Sequence, residues 1–236
     1  DEQGAKKVYS RAPSKQGVGL AVCNRLYRSA AFRFINAIKR PIVGLTGQTG
    51  AGKGYVGEYL KKLNCAVIDT DEIAHNITEK GSDIINELVN AFGDSILDKD
   101  GNVIRAKLAS SAFSTKENTL KLNSVMHPEI MRIAKEKADF ALEEGSAAAV
   151  IDAPLLFEAG GDRICDTIIA VTAPEDIRLK RITERDSITP EQARMRMSAQ
   201  HDDKFYISKS DFTVRSYPPY KIEDELKQFV NEYINI

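Results

Sequence analysis

Residues 42–54 read Ile42-Val43-Gly44-Leu45-Thr46-Gly47-Gln48-Thr49-Gly50-Ala51-Gly52-Lys53-Gly54. The first five form an apolar run of strand type. Residues 53–63 carry Val56, Tyr59, Leu60 and Leu63 at helical spacing. Between them, 47–54 follows the phosphate-loop pattern G-x-x-x-x-G-K-[ST], with Gly54 at the Ser/Thr position. Glycine-rich stretches also mark ordinary turns. Here a strand leads in and a helix leads out, and a helix N-terminus offers free N–H groups and a favourable dipole to an anion. The candidate phosphate cradle is Gly47, Gly50, Ala51, Gly52, Lys53, Gly54 and Tyr55, with Lys53 reaching the β/γ-phosphates. The ligand this implies is a nucleoside triphosphate such as ATP, with Mg²⁺. The missing hydroxyl at Gly54 removes one metal ligand. Water or a neighbouring hydroxyl, Thr46 or Thr49, can replace it, because Mg²⁺ keeps several waters. A degenerate, non-catalytic nucleotide binder is the other reading of Gly54.

Outward from the loop, apolar strand candidates recur at 65–69, 147–151, 167–171 and 212–214. Helical patterns separate them, at 83–92, 105–112, 116–143, 175–186, 189–204 and 221–233, with Pro128 able to kink or begin a helix. Residues 98–102, Asp-Lys-Asp-Gly-Asn, read as a turn. Strands alternating with helices predict an α/β fold with a mostly parallel sheet covered on both faces.

Ligands of open α/β sheets bind at the carboxyl ends of strands. The loop, Asp69 and Asp71, and Asp152 all fall there. Phosphoryl transfer needs positioning and charge neutralisation more than covalent chemistry. Asp71 is the candidate general base toward an acceptor hydroxyl. Asp69 is expected to cap the next helix or to orient Mg²⁺ through water. Asp152 ends an apolar strand as a metal-orienting Asp does. Arg178, Lys180, Arg181 and Arg185 crowd one helix, followed by Arg194 and Arg196. Such a run is usually a solvated face, paired here with Glu175, Asp176 and Glu184. A kinase nevertheless needs cations at the γ-phosphate, and Arg181 and Arg185 are the candidates for a closing lid.

The 236 residues carry a net charge of −1, unevenly spread. Residues 1–40 hold a balance of +7 and the remainder −8. The first 17 residues read as flexible. Residues 18–40 read as an amphipathic helix, which fits docking on a core better than lying on a membrane surface. No groove-reading element accompanies this basic segment, so nucleic-acid binding is not expected. Three scattered cysteines, Cys23, Cys65 and Cys165, have no metal-type spacing and fit a reducing, cytoplasmic compartment. No apolar run reaches transmembrane length. The chain begins at Asp1 rather than Met, which fits a piece of a longer polypeptide.

Further strings sharpen the reading: Val67-Ile68-Asp69-Thr70-Asp71-Glu72-Ile73-Ala74, Phe92-Gly93 followed by Asp100-Gly101, Arg105 with Leu108, Phe113, and Leu122-Asn123 with His127-Pro128-Glu129-Ile130. Asp152-Ala153-Pro154-Leu155-Leu156-Phe157-Glu158, then Arg181, Arg185-Asp186 and Gln200, complete them. Over roughly 42–216 the chain resembles the dephospho-CoA kinase family. The resemblance implies a P-loop kinase-type three-layer α/β/α fold, with a helical acceptor-binding insertion at about 75–145 and a lid at about 175–204, all within 41–236. It implies transfer of the ATP γ-phosphate to the 3′-hydroxyl of the dephospho-CoA ribose, the last step of coenzyme A synthesis. By position Asp71 matches the catalytic Asp. Arg105, Asn123 and His127 fall in the acceptor region, although a histidine beside a proline is as often structural. Three residues depart from the pattern: Gly54, Tyr55 beside it, and Ser216, where an Asn near the adenine region is usual. A kinase of another nucleoside or nucleotide acceptor is the competing enzyme reading.

Overall fold

The computed structural model describes residues 40–79 and 82–234. The readings made for the first 39 residues lie outside them. One compact unit begins at Arg40. Its sheet has five strands: β1 Ile42–Thr46, β2 Cys65–Asp69, β3 Ala148–Asp152, β4 Thr167–Thr172 and β5 Phe212–Arg215. All pairings are parallel, in the order β2-β3-β1-β4-β5. Helical connections of parallel strands cover both faces, so β1, β3 and β4 are near-continuous apolar runs.

Eight α-helices of the described residues connect the strands, α1 Lys53–Lys62, α2 Thr70–Asn76, α3 Ile84–Phe92, α4 Arg105–Ala112, α5 Lys116–Glu143, α6 Glu175–Asp186, α7 Pro190–Ser198 and α8 Asp203–Lys209, and a ninth, α9 Ile222–Phe229, follows β5. Helix α1 packs on β1 and β2 and against α9, whereas α5 packs on β2 and β3 and α8 on β4. The β2–β3 crossover carries α2 to α5. Their Ile73, Ile84, Leu88, Leu108, Ile130 and Met131 join Ile68, Ile151 and Ile168 of the sheet in one core. The helical insertion therefore shares the core of the sheet. Helices α6 and α7 form a hairpin around Ile182, Ala193 and Met197.

Four expectations need correction. The pattern over 189–204 gives two helices, because Gln200 and His201 turn inward to bond the loop and Asp202 caps α8 through Phe205 N. Pro128 lies inside α5 and does not begin it, with Ile130, Met131, Ala134 and Ala138 buried beyond it. Strand β3 runs one residue later than expected, so Asp152 is its last residue. The final helix gives way after Phe229 to a π-turn, Val230–Ile234, where Tyr233 stacks on Phe229 (5.5 Å, 10°).

Candidate active site

The chain leaves β1 and after it reaches β2 on one side; the crossover from β3 then passes over β1 to β4. This reversal opens a crevice at the carboxyl end of β1, where α/β sheets bind ligands. The loop lies there. Gly52 takes a left-handed conformation (φ 98°) and offers no side-chain cap, so the first N–H groups of α1 stay open to a ligand. The first turn of α1 has no acidic residue, and Lys61 and Lys62 sit in its last. A methyl added at Gly52 would lie 2.5 Å from Ser216 Oγ, and one at Gly47 would strike the Val171 carbonyl, so both positions require glycine. Around Gly54 there is open space, and nothing in the packing forbids a serine there.

Lys53 curls back over the loop, with Nζ 3.5 Å from the Gly47 carbonyl. Its charge also acts on Asp71 and Asp152. Asp69 and Asp152 are register partners at the ends of β2 and β3. Asp69 Oδ1 accepts from Asp71 N (2.8 Å) and Glu72 N (3.3 Å) and caps α2. Thr70 Oγ1 donates to the Asp152 carbonyl (2.9 Å), tying the start of α2 to β3. Asp71 is thereby presented in the first turn of α2. It keeps solvent contact, yet surrounding atoms desolvate its carboxyl and Asp69 repels it. Both push its pKa up, while Lys53 pulls it down.

Asp152 is buried more deeply. Desolvation, and then Asp69 and Asp71, push its carboxyl up to about 6 against the pull of Lys53. Its Oδ1, and Thr46 Oγ1 at the end of β1, are buried oxygens with no hydrogen-bond partner. Unpartnered oxygens beside a phosphate loop suit a hydrated divalent cation. Among the described residues no three His, Cys, Asp or Glu side chains are placed to hold a metal alone. Mg²⁺ would therefore rest on waters and phosphates as well as on Asp152.

A carboxyl that keeps its proton to about pH 6 in the folded chain, against 3.8 ordinarily, favours folding fully below pH 4. That contribution is lost as pH rises through 6. Asp152→Asn removes the loss. In metal- and nucleotide-free protein at pH 8 the variant should melt about 6–12 °C higher, because a carboxyl pKa raised from 3.8 to about 6 corresponds to about 3 kcal/mol. At pH 4 the difference should vanish. Thermal unfolding at the two pH values checks this, and a lower melting point at pH 8 would refute it.

The other candidates are placed as follows. Arg105 donates through Nη1 to His75 Nδ1 and through Nη2 to the His75 carbonyl (3.2 Å). His75 is four residues after Asp71, on the same side of α2. It escaped the sequence reading, although that spacing was a usable signal. Asn123 and His127 lie one turn apart on α5, both partly buried. Burial lowers the His127 pKa, opposed by Glu158. His201 Nε2 also reaches Glu158 (3.4 Å). Arg181 Nη1 donates to the Gly50 and Ala51 carbonyls (3.2 and 3.3 Å) and to Ser216 Oγ (3.0 Å), and Nη2 donates to the Ser216 carbonyl (2.5 Å). Its guanidinium lies 5.8 Å from the centre of the exposed Tyr55 ring. Arg181 is thus drawn onto the loop. Arg185 stays on the hairpin surface, donating to Asp186 Oδ1 (2.7 Å), which Arg196 shares through Oδ2 (2.6 Å). Ser216 bonds the Ala51 carbonyl and closes the far side of the loop.

A parallel sheet in this order, a phosphate loop between β1 and α1 and a carboxylate within the field of the loop lysine define a P-loop kinase. The family described as dephospho-CoA kinase matches residues 41–216. A dephospho-CoA kinase of Fusobacterium nucleatum is 38% identical over 175 residues, covering 74% of this chain and 89% of that protein. One of Corynebacterium diphtheriae is 36% identical over 173 residues, covering 73% and 86%. The solved dephospho-CoA kinase of Campylobacter jejuni superposes with a TM-score of 0.60 at 25% identity, over 82% of this chain and 97% of that one. The chain belongs to the dephospho-CoA kinase family, and it is an ATP-dependent kinase.

Proposed function

We propose that this chain transfers the γ-phosphate of ATP to the 3′-hydroxyl of the dephospho-CoA ribose, giving coenzyme A and ADP. The observation that carries the reading is the position of Asp71. It opens α2 within the field of Lys53, and Arg105 grips the same helix one turn further on. The open amides of α1 and Lys53 hold the β- and γ-phosphates. Asp71 accepts the proton of the attacking hydroxyl, and its raised pKa makes it a better base than a free carboxylate. Arg105, Asn123 and His127 hold the acceptor on the helical insertion. Arg181 steadies the loop at Gly50 and Ala51, and Arg185 reaches the γ-phosphate from the lid on releasing Asp186. Asp152, with Asp69 beside it, would orient Mg²⁺, which when bound would neutralise charge on the transferring phosphoryl group. Asp69 itself mainly fixes Asp71. We assign the insertion at 75–145 to acceptor binding and the segment at 175–204 to the lid, whose α6–α7 hairpin carries Arg185 and whose last turn stays fixed to the loop. No helix among the described residues is long and apolar enough to cross a membrane. Cys65 and Cys165, the cysteines of the described residues, are free thiols, which accords with a cytoplasmic setting.

A coupled assay of ADP release tests the reading, with ATP, Mg²⁺ and dephospho-CoA beside AMP, adenosine and no acceptor. Turnover with dephospho-CoA alone is expected. Turnover with AMP or adenosine would move the chain to another acceptor. Nucleotide binding without any turnover would make it a binding module.

A further inference from the structure

The turn between α7 and α8 lies some 150 residues from the phosphate loop in sequence and holds it by two hydrogen bonds. Gln200 Oε1 accepts from the backbone N–H of Thr49 (2.7 Å). Gln48, itself buried, donates from Nε2 to the carbonyl of His201 (2.7 Å). The two bonds join neighbouring residues on each side, so the loop and the turn cannot shift independently. The turn is in turn well anchored. Gln200 N donates to the Met197 carbonyl (3.3 Å). The His201 ring stacks on Phe205 (3.8 Å, 19°) and faces Glu158. Asp202 caps α8 at Phe205 N (3.0 Å).

On either side of this contact the loop has other constraints. Gly47 is pressed on Val171, and Gly50 lies against the Arg178 backbone. The Gln48–Thr49 peptide is held at its carbonyl by Ala51 N (3.0 Å) and at its N–H by Gln200. A phosphate loop works only when its amides converge before the anion arrives, since reorienting them on binding costs affinity. Without Gln200 the peptide would rest on the Ala51 bond at its carbonyl, and its N–H edge could tilt and carry the Gly50 amide with it.

We propose that Gln200 is a positioning residue for nucleotide binding. Its side-chain oxygen, with the reciprocal bond from Gln48 and the loop's own Ala51 N bond to the Gln48 carbonyl, fixes the Gln48–Thr49 peptide so that the Gly50, Lys53 and Gly54 amides face the phosphates. Gln200 touches the loop and not the nucleotide. The inference rests on the loop being the nucleotide site and does not depend on which acceptor is used.

The test uses Gln200→Met, Gln48→Met and the double variant in the full chain. Methionine keeps the length and volume of each side chain without its hydrogen bonds. ADP binding is measured by calorimetry with no acceptor present, beside thermal unfolding without ligand and KM for dephospho-CoA. Each single variant should bind ADP about ten-fold more weakly. The double variant should be about twenty-fold weaker, short of the hundred-fold expected of independent contacts. Ligand-free melting in each single variant should fall by no more than about 3–6 °C, the loss of one hydrogen bond, and KM for the acceptor should stay close to the parent value, which a general loss of structure would not allow. Unchanged ADP affinity in folded Gln200→Met overturns the proposal, and so does a hundred-fold loss in the double variant. A Gln200→Met chain that fails to fold, beside a Gln48→Met chain that binds ADP normally, overturns it as well. ADP affinities that behave as expected, in a protein that turns over no dephospho-CoA, would strike the acceptor reading and leave this one standing.

Discussion

Asp71→Asn should lower kcat by about 10³-fold, the middle of the range for removing a general base, while ADP binds within about two-fold of the parent. The fold should tolerate the change. The bonds that start α2 are made by Asp69 Oδ1 and by the buried Thr70 hydroxyl, and neither involves the Asp71 carboxylate. What the Asp71 carboxylate gives the helix is a favourable charge in its first turn, worth about 0.5 kcal/mol. Asparagine matches its shape and cannot take a proton. The acid limb of the pH–rate profile is the second signature. Burial and Asp69 raise the Asp71 pKa, so activity should fall with acid above the ordinary carboxylate range, and that limb should disappear in the variant. A loss of ADP affinity matching the loss of turnover would instead make Asp71 part of the nucleotide site.

Much of this site was legible in the sequence because its parts are local. The limits of β1 and β2 follow from short apolar runs closed by Gly47 and Asp69, and those of α4 and α5 from helical spacing. The loop has a fixed spacing, and a carboxylate at a strand end announces itself. The readings that failed, and the partners that went unseen, are those decided by distant groups. No glycine or proline follows Pro190 in 189–204 to mark a break, yet Gln200 and His201 leave the helix because the loop offers them Thr49 N and Gln48 Nε2. The arginines of α6 are alike in sequence. Only the three-dimensional arrangement puts Arg181 on the Gly50 and Ala51 carbonyls and leaves Arg185 with Asp186. Ser216 reads as a departure from a pattern, and its bond to the Ala51 carbonyl could not be read from its neighbours. Pro128 normally costs a helix interior about 3 kcal/mol, which α5 offsets by burying Ile130, Met131, Ala134 and Ala138 just beyond it.

Lys53→Met should differ from Asp71→Asn in kind. Lys53 reaches over the loop toward Gly47 and bears electrostatically on both Asp71 and Asp152. Its removal withdraws the phosphate cation, so ADP affinity should fall about ten-fold and kcat by about 10²–10³-fold, as for loss of one electrostatic donor. It also removes the attraction that lowers both carboxyl pKa values. Asp71 and Asp152 should hold their protons to higher pH, and the acid limb of the residual activity should move upward. Lys53→Arg separates the two effects. Arginine keeps the charge, so the acid limb should return toward its original place. Its planar fork cannot put a compact point charge over the loop, so turnover should stay at least about ten-fold down. Full recovery by arginine would mean that Lys53 acts only as a diffuse positive field. An acid limb that does not move in Lys53→Met would mean that the lysine does not set the base, and the general-base assignment of Asp71 would lose its electrostatic support.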